Sequence, residues 1–305
     1  MSLNKPIYKL RDWIDKETIL SYKTLSKNKN AIQLLKENPE NIDWFYLSGN
    51  PNAIKLLKEN PNNIYWNIIS SNTNAYELLK NNIHKINWSG LSLNYNQDNY
   101  NLLLKYYDKI NWCSISENPY AIDLIENNTN KNYDYWFYLS RNTNPKAIQI
   151  LNKNIENINW VNLSKNSCPE AMNILYKNQD KIVWKHLSAN PNAIKLLENN
   201  IHKIDWYHLS SNPNAIHLLK NNLDKISWYN LSSNPNAIDI LKDNQEYINW
   251  SSFSINPSIF EYDYQTMKKN NENMYEDLIK EVMKPSRIFK NISNNYDYLE
   301  IMFDD

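Results

Sequence analysis

Apolar residues recur along this chain with a period of about 22 to 24 residues, and tryptophan marks each period. Each tryptophan opens a frame of the form W-x-x-L-S-x-N-P-N-A-I-x-L-L-K-x-N, seen most clearly from residue 228 onwards. A fixed period in the twenties indicates a tandem array of stacked structural units. The marking tryptophans are Trp44, Trp66, Trp88, Trp112, Trp136, Trp160, Trp184, Trp206, Trp228 and Trp250, and Tyr22 opens a divergent first copy.

Two short helices are predicted in each repeat. Trp and Leu at i and i+3 share a face and predict helix A, which is barely two turns long. Ala53, Ile54 and Leu57 lie at i, i+1 and i+4, and this helical spacing predicts helix B. The pattern therefore predicts an all-α fold.

The ends of these helices carry capping residues. The residue before Trp is expected to be the N-cap of helix A in seven repeats, at Asp43, Asn87, Asn111, Asn159, Asp205, Ser227 and Asn249. Asn-Pro pairs such as Asn50-Pro51 are expected to open helix B, with Pro at the first helical position. Since the chain has only two glycines, we expect the Asn after helix B to supply the left-handed C-terminal cap. These residues are Asn38, Asn60, Asn82, Asn154, Asn178, Asn200, Asn222 and Asn244.

The resulting fold is an α-solenoid of about eleven two-helix repeats of 22–24 residues, with helical caps at both ends. Residues 1–21 are expected to form the N-terminal cap, residues 22–259 the solenoid and residues 260–305 the C-terminal cap. At a helix-packing distance of ~9 Å, eleven repeats predict a solenoid about 100 Å long. The sequence does not determine its curvature.

Most of the repeated polar and aromatic residues are expected to be structural. One Trp per repeat, with Leu at i+3, predicts a buried aromatic column in the core. The Ser that follows this Leu recurs in every copy, and we expect its hydroxyl to bond to backbone at the end of helix A or in the next repeat. The Asn two residues later is expected to cap backbone as well.

Composition excludes several functional classes. The 33 basic and 33 acidic residues balance, which disfavours nucleic acid or an anionic membrane as the main partner. Two cysteines provide no disulfide framework, and the N-terminus lacks a secretory signal, so we expect an intracellular protein. His186 and His208 occupy equivalent positions, about 8–10 Å apart at helix-packing distance. Without a further ligand or catalytic motif beside them, we expect no metal, no cofactor and no enzymatic activity.

The variable positions of helix A suggest a binding surface. By helical geometry, the second residue after Trp is expected to point most directly outward, with the first residue beside it. Aromatic and basic side chains at such positions of a rigid array are typical of protein interfaces. The candidate partner-binding residues are Phe45, Tyr46, Phe137, Tyr138, Lys185, His186, Tyr207, His208 and Tyr229. Random drift on a solvated face is the alternative.

The chain also resembles known repeat families. The alternation of a very short helix with a longer one, joined by Asn-Pro, is similar to the leucine-rich-repeat-variant solenoids. The WxxLSxNPNAIxLLKxN frame, the KLRDWI start and the segment from residue 260 to 290 look like the tandem-repeat proteins of amoeba-infecting giant DNA viruses. This resemblance implies a viral protein acting inside the host cell, in its cytoplasm, and implies no activity.

Three functions remain open from the sequence. The first is a non-enzymatic scaffold that binds a host or viral protein through the solenoid surface. The second is a self-associating structural component of a virion or viral factory. The third is single-stranded nucleic-acid binding by aromatic stacking, which the neutral charge disfavours.

Overall fold

The computed structural model describes residues 6–15, 20–127 and 132–272. The chain divides into two compact units, one formed by Arg11–Ile259 and the other by Met1–Leu10 together with Phe260–Asp305. The larger unit is an all-α solenoid of helical repeats, as the sequence predicts. Repeat 1 begins at Tyr22, and repeats 2 to 11 are numbered from the ten marking tryptophans.

Helix A is short in every repeat. The side chain at each of the seven predicted N-caps accepts a hydrogen bond from the backbone N–H three residues on, as Asp43 does from Tyr46 at 3.1 Å. The predicted caps are thereby confirmed. The A helices are Tyr22–Leu25, Trp44–Ser48, Trp66–Ile69, Trp88–Ser92, Trp112–Ile115, Tyr133–Leu139, Trp160–Lys165, Trp184–Ser188, Trp206–Leu209, Trp228–Ser232 and Trp250–Phe253.

Helix B follows the Asn-Pro turn. The Asn50 side chain accepts a hydrogen bond from the Asn52 backbone N–H at 3.1 Å, which confirms the predicted start. The first turn is often a 3₁₀ helix, and the α-helix continues from it. The B helices are Ile32–Glu37, Ile54–Glu59, Tyr76–Lys80, Gln97–Leu104, Ile122–Glu126, Pro145–Asn152, Ala171–Lys177, Ile194–Glu198, Ile216–Lys220 and Ile238–Asp243.

A third helical turn lies between helix B and the next helix A in most repeats. The sequence predicted only helices A and B. The 3₁₀ helices of this turn are Pro39–Asn41, Pro61–Asn63, Ile83–Lys85, Tyr107–Lys109, Ile155–Asn157, Gln179–Lys181, Ile201–Lys203 and Gln245–Tyr247. Four other 3₁₀ helices of the described residues lie elsewhere in the repeat. Three open helix B, at Pro51–Ala53, Pro119–Ala121 and Pro191–Ala193, and one, Pro257–Ile259, follows the last helix A.

The predicted left-handed caps are wrong. No described residue has a positive φ, and Asn38 has φ −135° and ψ 61°. The Asn side chain ends the helix instead, because its amide donates to the carbonyl four residues back, as Asn38 does to Leu34 at 2.9 Å. All eight predicted Asn caps make this bond. A side-chain donor satisfies a terminal carbonyl without any strained backbone.

Three aliphatic columns form the core. The residue three after each Trp is completely buried in every repeat, from Leu25 to Phe253. The Ala that opens helix B, such as Ala53, and the Leu four residues later, such as Leu57, form the other two columns. The ten marking tryptophans lie outside this core: nine are half-buried and Trp112 is exposed. The predicted buried tryptophan column is therefore wrong.

Serine and asparagine join neighbouring repeats through a buried ladder of hydrogen bonds. The Ser48 hydroxyl donates to the Trp44 carbonyl at 2.8 Å and accepts from the Tyr65 backbone N–H of the next repeat at 3.0 Å. The Asn50 amide donates to the Ser26 and Asn28 carbonyls of the preceding repeat, at 3.1 and 3.0 Å. Both predicted backbone roles are confirmed, and the ladder satisfies buried carbonyls that water cannot reach.

The ladder closes on itself, a curvature that the sequence did not determine. Asn28 of repeat 1 donates to the Ser254 and Asn256 carbonyls of repeat 11 at 3.0 and 2.8 Å, the same bonds that join every other pair of neighbours. The Ser254 hydroxyl accepts from the Ser21 backbone N–H at 2.9 Å, again as in the other repeats. The unit Arg11–Ile259 is therefore a closed ring of repeats.

Helix A lies on the inner side of this ring. Neighbouring A helices pack against each other around most of the ring, whereas neighbouring B helices approach closely at few points. Because the inner side of a closed stack has the closer spacing, the A helices line it. The Thr24 hydroxyl continues this packing across the closure, where it donates to the Ser251 carbonyl at 2.9 Å.

The second unit contains the only strands among the described residues. Tyr8–Leu10 pairs antiparallel with Phe260–Tyr262, with Lys9 opposite Glu261. A helix then runs over 264–272, opened by Asp263, whose carboxylate accepts from the Thr266 backbone N–H at 3.0 Å. Helix is therefore present in the described part of the predicted C-terminal cap, but a strand precedes it. The predicted N-terminal cap helix is wrong where the structure describes it, because Tyr8–Leu10 is a strand and residues 11–15 contain no helix. Residues 1–5, residues 16–19 and the rest of the predicted C-terminal helix lie outside the described residues.

Candidate interaction surface

The first residue after Trp is the most solvent-exposed position of helix A. Helical geometry alone suggested the second residue. Tyr207 and Tyr229, at the first position, are 54% and 57% exposed. Ser114 and Asn162, at the second position, are only 7% and 5% exposed. The second position faces the helix A of a neighbouring repeat, and the Asn162 amide donates to the Phe137 carbonyl there at 2.9 Å.

This rotation follows from the half-exposed tryptophans. Because Leu rather than Trp occupies the centre of the core, the helix turns its tryptophan towards the surface. Among the nine predicted residues, Phe45, Lys185, Tyr207 and Tyr229 are exposed, whereas Tyr46, Phe137, Tyr138, His186 and His208 are half-buried.

One aromatic patch lies across repeats 2 and 3. The Phe45 ring makes edge contacts with Tyr46 and Tyr65, each with ring centroids 5.4 Å apart. The Lys27 ammonium lies 4.0 Å from the centroid of the Tyr46 ring. Sequence analysis missed Tyr65 and Lys27, because Tyr65 stands at the N-cap position and Lys27 lies after the Ser of repeat 1. Both positions look structural in the repeat frame.

A second patch lies across repeats 8 to 10. The Tyr207 and His208 rings are 5.3 Å apart, and the His186 and His208 rings are 6.0 Å apart, closer than the predicted 8–10 Å. Tyr229 stands on the next repeat, where the neighbouring Asn230 amide donates to the Tyr207 carbonyl at 2.7 Å. The structure therefore brings the predicted residues of repeats 8 to 10 to one stretch of the A-helix face.

The pKa values of Asp205 and His186 in this patch are both lowered. His208 Nδ1 lies 2.9 Å from the Asp205 carboxylate. Burial favours protonation of Asp205, but hydrogen bonds from the His208 backbone and ring outweigh it and hold the Asp205 pKa below its usual value. Burial lowers the pKa of His186, and the charges of Lys165 and Lys185 lower it further. His186 therefore favours its neutral form.

Phe137 and Tyr138 form a smaller pair in repeat 6, with ring centroids 5.2 Å apart in an edge contact. This pair stands on a different repeat from the other two patches. The structure thus divides the nine predicted residues among three stretches of the A-helix face.

Lysines cover several of the half-exposed tryptophans. The Lys203 ammonium lies 4.7 Å from the centroid of the Trp184 ring, and Lys85, Lys181 and Lys225 lie over Trp66, Trp160 and Trp206 in the same way. Each lysine comes from the turn that precedes the next repeat's tryptophan, and this turn is a 3₁₀ helix at Lys85, Lys181 and Lys203. A cation over an aromatic face stabilises the pair by ~0.5–1 kcal/mol at exposed sites. Each contact therefore joins the tryptophan of helix A to the turn at the end of the same repeat.

One buried carboxylate joins repeats 4 to 6. Glu117 accepts from the Tyr95 hydroxyl at 2.6 Å and pairs with the Arg141 guanidinium at 3.3 Å. Burial raises the pKa of Tyr95, and the hydrogen bond to Glu117 raises it further. With both partners in place, this carboxylate is a structural link between repeats.

The described residues hold no group of three or more His, Cys, Asp or Glu side chains able to bind a metal ion. Burial raises the pKa of the Cys113 thiol, and the nearby Asp134 carboxylate raises it further. Burial, together with the hydrogen bond to Glu170, raises the pKa of Cys168 to about 11. Since the thiolate is the nucleophilic form, these shifts disfavour reaction of either cysteine near neutral pH.

In the part of the chain that the structure describes, no helix is long and apolar enough to cross a membrane. Comparisons with protein families, curated proteins and solved structures found no match to this chain.

Proposed function

We propose that this protein is a non-enzymatic scaffold that binds another protein through the A-helix face of its ring. The observation that supports this most is the pair of exposed tyrosines, Tyr207 and Tyr229, on neighbouring repeats. Interfaces are enriched in Tyr, because its large rigid ring contacts much area at low cost in conformational entropy.

The ring provides a rigid support for these side chains. The Asn230 side-chain amide of repeat 10 donates to the backbone carbonyl of Tyr207 in repeat 9. The backbones that carry both tyrosines are therefore fixed relative to one another before any partner binds. Preorganisation of this kind reduces the entropic cost of association.

The closed ring disfavours end-to-end assembly, one form of the alternative in which the protein is a self-associating structural component. An open array offers its two ends for stacking onto other copies. In this ring the first and last repeats bond to each other through Asn28 and Ser254, so end-to-end assembly would require the ring to open. Closure thus disfavours end-to-end self-assembly and supports the proposal of a different protein bound to the A-helix face. From the sequence resemblance, we propose a host or viral protein in the host cytoplasm.

The test is affinity purification of the tagged protein from the cells in which it acts, with cross-linking and mass spectrometry. The doubly substituted Tyr207→Ala/Tyr229→Ala protein should lose the main cross-linked partner. The matched control is Tyr120→Ala/Tyr176→Ala, which removes two exposed tyrosines associated with helix B. Unchanged capture by the Tyr207/Tyr229 variant would refute the assignment of this surface, and cross-links only to other copies would favour self-association.

A further inference from the structure

A hollow opens on the A-helix face between repeats 1, 2 and 3. Its lining residues are Lys27, Phe45, Tyr46, Gly49 and Ile68, and its volume is about 290 Å³. Pockets for drug-sized ligands measure roughly 300–1,000 Å³. A hollow at the lower end of this range is suited to one side chain rather than to a whole ligand.

Gly49 keeps this hollow open. Its backbone, with φ −84° and ψ −9°, is in the right-handed helical region that any residue adopts. Larger residues occupy the equivalent position in other repeats, among them Leu93, Arg141 and Ile255. A Cβ at Gly49 would lie 3.3 Å from Ile68 Cγ2, at the wall of the hollow. The backbone conformation at this position therefore does not require glycine. The absence of a side chain at Gly49 leaves the hollow open.

The rim of the hollow is positively charged. The ammonium groups of Lys23 and Lys27 lie 5.7 and 4.0 Å from the centroid of the Tyr46 ring. Neither lysine pairs with a carboxylate of the described residues. Two cations without acidic partners thus lie beside an apolar floor formed by Phe45 and Ile68.

We propose that this hollow binds one apolar side chain of a partner protein whose flanking residues are acidic. The proposal rests on the scaffold function and specifies the chemistry of the partner. The apolar side chain contacts Phe45, Tyr46 and Ile68 in the space that Gly49 leaves. The flanking carboxylates pair with Lys23 and Lys27, and such complementary charges determine specificity and the rate of encounter.

The probe for this site is a fluorescein-labelled synthetic peptide, Glu-Glu-Asp-Phe-Asp-Glu-Glu, with binding to the full chain measured by fluorescence anisotropy. Two further peptides test the chemistry: one replaces Phe by Ala, and the other replaces every acidic residue by Lys. We expect saturable binding of the first peptide, at least tenfold weaker binding of the alanine peptide and no binding of the lysine peptide.

Matched variants test the location. Gly49→Leu fills the hollow and should weaken binding of the phenylalanine peptide at least tenfold. Ala189→Leu makes a similar change at the equivalent position of repeat 8 and should leave binding unchanged. Lys27→Glu should weaken binding at least tenfold, whereas Lys165→Glu, at the equivalent position of repeat 7, should not. Circular dichroism and urea unfolding confirm that each variant folds.

Equal binding to Gly49→Leu and to the unsubstituted protein, with Gly49→Leu folded, would overturn the proposal. Absence of saturable binding at millimolar peptide would overturn it as well. In either case, loss of the cross-linked partner in the Tyr207→Ala/Tyr229→Ala protein would still support the scaffold function. Tight peptide binding, together with unchanged partner capture by the Tyr207→Ala/Tyr229→Ala protein, would support the hollow as a binding site. The same result would refute the assignment of the Tyr207 and Tyr229 surface.

Discussion

Replacing a single asparagine in the ladder tests whether the ring is closed in solution. Asn212→Ala removes an internal link, in which the amide donates to the Ser188 and Asn190 carbonyls and the side-chain oxygen accepts from the Asn214 backbone N–H. Asn28→Ala removes the same three bonds at the closure, where the acceptors belong to repeat 11. The two substitutions are thus chemically equivalent.

The magnitude follows from the groups left behind. In Asn212→Ala the Asn190 carbonyl keeps a bond from the Ala193 backbone N–H. The Ser188 carbonyl and the Asn214 N–H lose the side-chain partner that Asn212 supplied. The Ser188 residue is buried whereas Asn214 is exposed. Since an unsatisfied buried polar group costs about 1–3 kcal/mol, we expect a loss of about 1–3 kcal/mol in the free energy of unfolding. For a closed ring, Asn28→Ala should cost the same.

The assay is urea unfolding followed by circular dichroism and tryptophan fluorescence. Asn199→Ala is the control, because this Asn is exposed, and a surface change of this kind should alter the free energy of unfolding by about 0.5 kcal/mol or less. In an open array the Asn28 amide would bond to water, and Asn28→Ala would cost about 1 kcal/mol or less. A result near that value, with Asn212→Ala strongly destabilised, would refute the closure.

Three further outcomes follow from the same structure. Ser188→Ala should cost about 1–3 kcal/mol in urea unfolding, because it leaves the Asp205 N–H without its hydroxyl acceptor; a loss below 0.5 kcal/mol would contradict the ladder. Lys203→Ala should cost ~0.5–1 kcal/mol and change the emission of Trp184, whereas unchanged emission and stability would show that the contact contributes nothing. His186 has a lowered pKa, so the unfolded chain takes up a proton that the folded chain disfavours, and stability should fall as the pH drops below about 6.5. His186→Asn should reduce that fall, and an identical pH profile would exclude His186 as its source.

The repeats and most of their caps could be predicted because each depends on neighbouring residues. Asp43 caps helix A through a backbone N–H only three residues away, and Asn50 opens helix B through one only two residues away. The C-terminal caps are equally local, but their geometry was predicted wrongly because two local arrangements fit the same residue. An Asn such as Asn38 can end a helix by a left-handed backbone or by a side-chain bond, and its position in the sequence is the same in both cases.

Closure and the orientation of helix A could not be predicted. Closure requires each of the eleven repeats to be rotated by about 33° relative to the preceding repeat. The spacing of the repeats in the sequence does not specify this angle. The side of helix A that faces outward depends on whether Trp or Leu occupies the core, and both are apolar. Of the candidate residues on helix A, Tyr207 and Tyr229 are exposed. Tyr65 and Lys27, which lie beside the Phe45 patch, were not among the candidates because each stands where the frame suggests a structural role.

The closed ladder changes how unfolding can begin. In a linear array the terminal repeats have one neighbour each, so they fray, and amide protons exchange fastest there. In the ring, repeat 1 and repeat 11 have two neighbours like all the others, and the melting of any one repeat breaks two interfaces at once. Amide protection should therefore be nearly even around the circle, and heat should melt the repeats together instead of peeling them away from either terminus.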